Sequence, residues 1–156
     1  MNLKLRTSVS NHFLNVKELF DEKLFMKLSP PFPLLRLQRF DGCEKGDKVA
    51  IQLNFLLFKQ EWHSLIVSSE TTTDEFVFVD EGTKLPFMFC SWRHRHVIRR
   101  LGDNETEIID EIYFSSHNIL LDYLLLPAMY LQFAYRKPIY KRILRREQIP
   151  ATIEPG

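Results

Sequence analysis

Two histidines and one aspartate are the strongest candidates for chemistry in this sequence. His94 and His96 stand two residues apart in the segment 92–99, which alternates in character at every step. Because successive side chains of a β-strand point to opposite faces, both imidazoles are predicted to share one face with Trp92 and Ile98. Arginine is rarely buried without a partner, so the other face should contact water. That outer face carries Arg93, Arg95, Val97 and Arg99.

The following strand, residues 106–114, places an acid beside these histidines. It comes after Gly102-Asp103-Asn104, a turn typical of a hairpin. A register that pairs Arg99 with Glu107 sets opposite charges across from each other and keeps charges off the apolar face. The same register predicts five further pairs: Arg95 with Glu111, Arg93 with Tyr113, His96 with Asp110, His94 with Ile112, and Trp92 with Phe114.

Three roles fit an imidazole beside a carboxyl group in an apolar setting. The residues His94, His96 and Asp110 can bind a carbonyl, hydroxyl or carboxylate of a ligand. His96 and Asp110 can also act as an acid/base pair in an aldol-type cyclisation or a dehydration. In the most conservative interpretation the cluster only satisfies its own hydrogen bonds and fixes the strand register. The sequence offers no nucleophile and no oxyanion-stabilising motif, which argues against catalysis.

A His-x-His pair can also chelate a metal ion, because both rings project from one face of a strand. A third ligand would have to be Asp110, or the more distant His63 or His117. His63 falls on the face opposite Trp62, which is predicted to point inward. We therefore expect neither a metal site nor a cofactor.

The elements that position these residues form an unusual order along the chain. A strand at 2–9 precedes two short helices, the first capped by Ser10 or Asn11 and the second by Asp21. Short spacings then predict an antiparallel meander, because parallel crossovers need about a dozen residues or more. Its strands are predicted at 34–40, 48–58, 61–69, 75–80, 91–100 and 105–115.

A long helix is predicted to close the fold, beginning between Asn118 and Pro127 and ending near Glu147, with a kink at Pro138. Apolar residues at spacings of three and four predict its buried stripe: Leu121, Leu124, Ala128, Leu131, Tyr135, Ile139 and Ile143. Basic residues crowd its end: Arg136, Lys137, Lys141, Arg142, Arg145 and Arg146. They complement the helix dipole in water. The less favoured alternative is attachment to an anionic membrane surface beside Tyr140 and Leu144.

Length and composition limit the class of protein. The chain of 156 residues is expected to form one domain over 1–148 with a loose tail at 149–156. Its net charge of +1 offers no case for nucleic acid as a partner. Cys43 and Cys90 suit free thiols in a reducing, cytoplasmic compartment. The apolar run 119–135 is interrupted by Asp122, and falls short of the roughly 20 residues that a membrane span needs.

Several short motifs, in order along the chain, resemble the SRPBCC superfamily, the START-related helix-grip proteins. They are Ser29-Pro30-Pro31-Phe32, Trp62-His63-Ser64-Leu65-Ile66, Phe78-Val79-Asp80-Glu81, Pro86-Phe87, Trp92-Arg93-His94-Arg95-His96, and Thr106 through Asp110 to Tyr113. The similarity is greatest to small bacterial cyclase-like members. It implies an α+β helix-grip fold, in which a seven-stranded curved antiparallel sheet wraps around the long C-terminal helix. It also implies a hydrophobic cavity between sheet and helix. One departure is Ser115-Ser116-His117-Asn118, where members usually carry a Pro-Leu-Gly-like turn.

These observations predict a non-enzymatic protein that binds or carries a small hydrophobic molecule, a lipid or an aromatic. The aromatic set Trp62, Phe76, Phe78, Trp92 and Phe114 either lines the cavity or fills it. The predicted site comprises Trp62, Phe78, Trp92, His94, His96, Asp110, Ile112 and Phe114. One alternative is a polyketide cyclase or dehydrase that uses His96 and Asp110. Another is an interaction module with a filled core. Nothing in the residues predicts the oligomeric state.

Overall fold

The computed structural model describes residues 1–145, which form seven strands and four helices. The predicted tail at 149–156 and the predicted helix end near Glu147 lie outside this range. The elements follow in the order β1 (Asn2–Val9), α1 (Phe13–Glu18), α2 (Glu22–Lys27), β2 (Leu34–Phe40), β3 (Lys48–Asn54), β4 (Lys59–Thr71), β5 (Glu75–Lys84), β6 (Phe89–Gly102), β7 (Glu105–Ser116), α3 (Ile119–Ala134) and α4 (Arg136–Ile143). The predicted α+β helix-grip architecture is confirmed.

All seven strands form one antiparallel sheet in the order β1-β7-β6-β5-β4-β3-β2. The predicted register of β6 and β7 is confirmed, because Arg99 pairs with Glu107, His96 with Asp110, and all four other pairs occur as expected. The outer face is less uniformly wet than expected. Arg93 is exposed, whereas Val97 is fully buried on the same face. The imidazoles of His94 and His96 lie on the opposite, concave face of β6, as the alternation predicts.

Two strand ends differ from the prediction in ways that matter for the site. β3 stops at Asn54 rather than at Phe58, because Leu56 adopts a positive φ of 73° and the Asn54 side chain accepts a hydrogen bond from the Leu56 N–H. β5 continues past Asp80 to Lys84. Asp80 is therefore an interior position of a strand and not its end.

The caps of the two short helices were predicted with mixed success. Asp21 caps α2 as expected, accepting from the Leu24 N–H. His12, and not Ser10 or Asn11, caps α1. Asn11 serves another purpose, because its buried side chain donates to the Leu144 carbonyl at 2.9 Å. This bond ties the end of α4 to the segment between β1 and α1.

The C-terminal helix begins within the predicted interval but is divided. Asn118 caps α3, and Asp122 accepts from the Ser116 N–H, so polar side chains form the turn in the departing segment 115–118. α3 ends at Ala134 and α4 begins at Arg136. The break thus precedes Pro138, which lies in the first turn of α4, where a missing N–H costs no internal hydrogen bond.

The predicted buried stripe of this helix was wrong for α3. Leu124, Leu131 and Tyr135 are 71%, 67% and 44% exposed, whereas Met129 and Phe133 are buried. Nearly every residue from 119 to 131 is apolar, so the period of three and four did not define a unique face.

The basic end of α4 does not support the alternative of membrane attachment. Tyr140 and Leu144 are buried in the core and cannot offer an apolar face to a membrane. Arg136 packs its guanidinium 4.2 Å from the ring centroid of Phe133. No helix among residues 1–145 has the length and apolar content to cross a membrane.

Candidate ligand-binding cavity

A cavity of about 600 Å³ lies between the concave face of the sheet and the helices α3 and α4. Its wall is mostly apolar, with contributions from α2, β2 to β6, α3 and α4. Some of its lining residues are also exposed: Pro31 and Phe32 before β2, Leu131 of α3, and Tyr135 between α3 and α4. The departing segment 115–118 does not contribute to the lining. The exposed lining residues place an opening between the end of α3 and the segment that precedes β2.

Three of the predicted aromatic residues line this cavity. The rings of Trp62 and Trp92 meet edge to face with centroids 4.7 Å apart. Phe78 stacks on His96 at 4.2 Å with an interplanar angle of 9°. Phe76 is buried in the adjacent core cluster and does not line the cavity.

Two other predicted wall residues lie behind the cavity surface. Ile112 and Phe114 are 0% and 2% exposed and belong to the hydrophobic cluster beneath α3. They are not lining residues. Their role in the structure is to support the β6 side chains that do face the cavity.

The polar part of the wall is a cluster of two histidines between two aspartates, which we call the His–Asp cluster (Asp80, His94, His96 and Asp110). On one side, Oδ2 of Asp80 lies 3.7 Å from Nδ1 of His94 and 3.2 Å from Nε2 of His96. On the other side, Oδ1 of Asp110 lies 3.0 Å from Nε2 of His94 and 3.5 Å from Nδ1 of His96. All four imidazole nitrogens thus face a carboxylate oxygen.

The shortest contacts differ from the pairing expected in the sequence analysis. His96 lies opposite Asp110 in the sheet, yet Asp110 makes its hydrogen bond with His94. The hydrogen bond of His96 goes to Asp80. Both histidines line the cavity, and Asp110 lies one layer behind them.

Sequence reasoning missed Asp80 as a site residue, although the signal for it is present. Phe76, Phe78 and Asp80 alternate along β5, so an inward Phe78 implies an inward Asp80. Trp92 confirms its direction by donating its indole N–H to Oδ1 of Asp80 at 3.1 Å. Ending the predicted strand at Asp80 hid this position.

The environment sets the charge state of the His–Asp cluster. Burial lowers the pKa of His94 to about 4, with a further contribution from His96, so His94 is neutral at pH 7. Burial acts to raise the pKa of Asp80, but the hydrogen bond from His96 and the nearby imidazoles outweigh it and lower that pKa. The same balance, with His94 as the main partner, lowers the pKa of Asp110. Both carboxylates are therefore ionised.

A second polar group faces the cavity from α4. Tyr140 is 1% exposed, and its hydroxyl has no hydrogen-bond partner among residues 1–145. Burial raises the pKa of this phenol well above its usual value, and the charge of Asp110 adds to the effect. The hydroxyl therefore stays protonated and remains able to donate to a ligand.

Comparisons with solved structures identify the architecture. The Zhui aromatase/cyclase from Streptomyces sp. R1128 superimposes with a TM-score of 0.64 at 11% identity, over 93% of this chain and 96% of that one. Norcoclaurine synthase from Thalictrum flavum in complex with dopamine and hydroxybenzaldehyde has a TM-score of 0.57 at 10% identity, over 89% and 86% of the two chains. Major latex-like protein 151 from Panax ginseng gives 0.53 at 15%, over 86% and 97%.

Comparison of sequences finds no match, whereas comparison of structures does. No protein-family model matches the chain, and no curated protein matches it. At identities of 9–15% the structural likeness establishes the fold. The order of elements, the curled seven-stranded sheet and the C-terminal helices agree with that likeness. The chain therefore has the helix-grip fold, which is the fold that the sequence resemblance implied.

Proposed function

We propose that this protein binds a small hydrophobic molecule, a lipid or an aromatic, in the cavity between the sheet and the C-terminal helices, without catalysing a reaction. The observation that carries the proposal is the cavity itself. Its volume of about 600 Å³ and its mostly apolar wall are those of a typical small-molecule site. An interaction module with a filled core would not retain such a space.

The polar groups of the wall indicate what kind of ligand fits. Tyr140 lines the cavity, and its hydroxyl is buried without a hydrogen-bond partner among the described residues. Leaving such a group unpaired costs about 1–3 kcal/mol, so a ligand that pairs with this hydroxyl gains affinity. We infer a mainly apolar ligand that carries one or two oxygen-containing groups.

The solved relatives support this class of ligand without identifying it. The norcoclaurine synthase complex holds dopamine and hydroxybenzaldehyde, both aromatic molecules with polar substituents. An apolar wall with a few convergent polar groups suits the same chemistry here.

A matched pair of variants on β3 tests the proposal. Ile51 lines the cavity, whereas its neighbour Gln52 points to the other face and does not. Ile51→Trp should fill part of the cavity and weaken the binding of an aromatic fluorophore with one sulfonate group, 8-anilinonaphthalene-1-sulfonate, by at least about tenfold. Gln52→Trp should leave the affinity within about twofold. Equal binding by the two variants, or no binding by the unmodified chain, would contradict the proposal.

A cyclase or dehydrase that uses His96 and Asp110 is the second candidate. The observation that favours it is the pairing of imidazole and carboxylate at 3.0 and 3.2 Å within an apolar cavity. The hydrogen bond of His96 runs to Asp80, so that residue would be its orienting partner. The test is turnover of a linear poly-β-ketone thioester. Loss of turnover in His96→Gln with unchanged affinity would establish the enzyme, whereas absence of turnover in the unmodified chain supports the binding protein.

A further inference from the structure

We propose that Asp80, His94 and His96 bind a divalent transition-metal ion, such as Zn²⁺, at the wall of the cavity, and that Asp110 orients the two imidazoles. The inference goes beyond the proposed function, because an ion can bind there with or without an apolar ligand. The sequence analysis expected no metal, since it considered only Asp110, His63 and His117 as a third ligand. Asp80 supplies one.

The spacing of the donor atoms suits a metal ion. One donor atom from each of Asp80, His94 and His96 lies within 4.8 Å of the other two. Oδ2 of Asp80 is 3.7 Å from Nδ1 of His94 and 3.2 Å from Nε2 of His96. Bonds of about 2.0–2.1 Å in a tetrahedral zinc site separate the donors by about 3.3 Å. The two distances from Oδ2 of Asp80 lie within about 0.4 Å of that separation.

The Asp80 side of the His–Asp cluster brings together the donor types that a divalent transition-metal ion prefers. Four imidazole nitrogens face carboxylate oxygens at 3.0–3.7 Å, and two of them, one from each ring, face Oδ2 of Asp80. Imidazole nitrogen and carboxylate oxygen are both common zinc ligands. An ion on the Asp80 side would bind these two nitrogens and that oxygen.

The remaining contacts then agree with a metal site. With the ion bound to Nδ1 of His94 and Nε2 of His96, the second nitrogen of His94 is hydrogen-bonded to Oδ1 of Asp110 at 3.0 Å, and that of His96 lies 3.5 Å from the same oxygen. A carboxylate that holds the second N–H of a metal-bound histidine is the usual supporting arrangement. Trp92 donates to Oδ1 of Asp80 and leaves Oδ2 for the ion.

The charge of the Asp80 carboxylate also favours a bound cation. Asp80 is 13% exposed, and its ion pairs within residues 1–145 are with His94 and His96 and not with a lysine or arginine. Buried carboxylates are normally paired with a cation or coordinate a metal. Arg136 contributes to the electrostatics of Asp110, on the far side of the imidazoles. In the part of the chain that the structure describes, no lysine or arginine forms an ion pair with Asp80.

Three protein ligands leave a fourth position open on a tetrahedral ion. Asp80, His94 and His96 all line the cavity, so that position faces the space where a ligand would lie. A carbonyl, enolate or carboxylate oxygen of the ligand would suit it. The metal would then be the polar anchor of an otherwise apolar site.

The test is metal titration of the untagged protein after chelator treatment, by calorimetry with Zn²⁺ and by visible absorption with Co²⁺. Asp80→Asn and His96→Gln each remove one ligand at nearly constant size and should weaken Zn²⁺ binding by at least about 100-fold. Asp110→Asn removes the supporting carboxylate and should cost about 10- to 100-fold. The control is His63→Gln, because His63 lies 3.7 Å from Glu61 outside the cluster, and it should change little.

The expected result is one Zn²⁺ per chain and a tetrahedral Co²⁺ spectrum that Asp80→Asn and His96→Gln both abolish. If Asp80→Asn fails to fold by circular dichroism, His96→Gln decides. Substoichiometric binding by the unmodified chain, or unchanged binding by a folded ligand variant, would overturn the inference. Binding of 8-anilinonaphthalene-1-sulfonate is measured in parallel, and its retention in Asp80→Asn separates failure of the metal site from failure of the cavity.

Discussion

The imidazole rings of His94 and His96 lie with their centroids 3.6 Å apart, tilted by 37°, between two carboxylates. This arrangement follows from the pleat of β6, which brings residues two apart onto one face. Asp80 reaches them from β5 and Asp110 from β7, the strands on either side. Three adjacent strands thus build the polar wall of an otherwise apolar cavity.

Two tryptophans of the cavity wall should differ in what their N–H groups contribute to stability. Trp92 donates to the Asp80 carboxylate at 3.1 Å, and Trp62 donates to the Ser64 hydroxyl at 3.2 Å. Trp92→Phe should lower the free energy of unfolding by about 1.5–3 kcal/mol through the lost bond, because its acceptor is charged. Trp62→Phe should cost about 0.5–1.5 kcal/mol in the same term. Urea denaturation compares the two, and equal costs would mean that Asp80 does not depend on the indole.

The exposed and buried faces of α3 predict opposite responses to substitution. Leu124 is 71% exposed, so Leu124→Lys should change the free energy of unfolding by no more than about 0.5 kcal/mol. Phe133 is 1% exposed beneath the same helix, and Phe133→Ala should cost about 3–5 kcal/mol. Urea denaturation measures both. A large loss in Leu124→Lys would instead favour the stripe expected from the sequence.

Asn11 should be essential for holding the end of α4. Asn11→Asp replaces the Nδ2 donor by an oxygen that faces the Leu144 carbonyl, and should cost about 3 kcal/mol. The control is Asn15→Asp, because Asn15 is exposed and donates to Asn11 at 3.2 Å. This change should cost less than about 1 kcal/mol. Thermal unfolding followed by circular dichroism distinguishes the two, and a stable Asn11→Asp would show that the tie is dispensable.

The two cysteines should react with iodoacetamide at very different rates. Cys43 lines the cavity, and burial, aided by the charge of Asp47, raises its pKa to about 12. The reactive thiolate is then about one part in 10,000 at pH 8. Cys90 is exposed. Mass spectrometry should show Cys90 modified at least about 100-fold faster, with the difference lost in urea. Similar rates in the folded chain would contradict the partly buried position of Cys43.

The β6–β7 hairpin could be predicted from the sequence because two signals agreed. The alternation of residues 92–99 fixed the faces, and opposite charges such as Arg95 and Glu111 selected the register. The hydrogen bonds between side chains could not be predicted from the register. Register places His96 opposite Asp110, but side-chain torsions decide that Asp110 bonds to His94.

Other features depend on tertiary packing that no local pattern encodes. The buried face of α3 is chosen by what the sheet offers to Met129 and Phe133, since apolar residues surround that helix. Asp80 was missed because an aspartate after Phe78 was interpreted as the end of a strand. The cavity was expected from the resemblance to helix-grip proteins. Its edge beside Leu131 could not be predicted, because it depends on which face of α3 is exposed.

Native mass spectrometry of the purified chain is the most direct test of ligand binding. The unmodified protein should carry a small hydrophobic molecule, one per chain, that denaturation releases. Ile51→Trp should lack it, and Gln52→Trp should retain it. A native mass equal to that of the polypeptide alone, together with no uptake of 8-anilinonaphthalene-1-sulfonate, would contradict the proposed binding function.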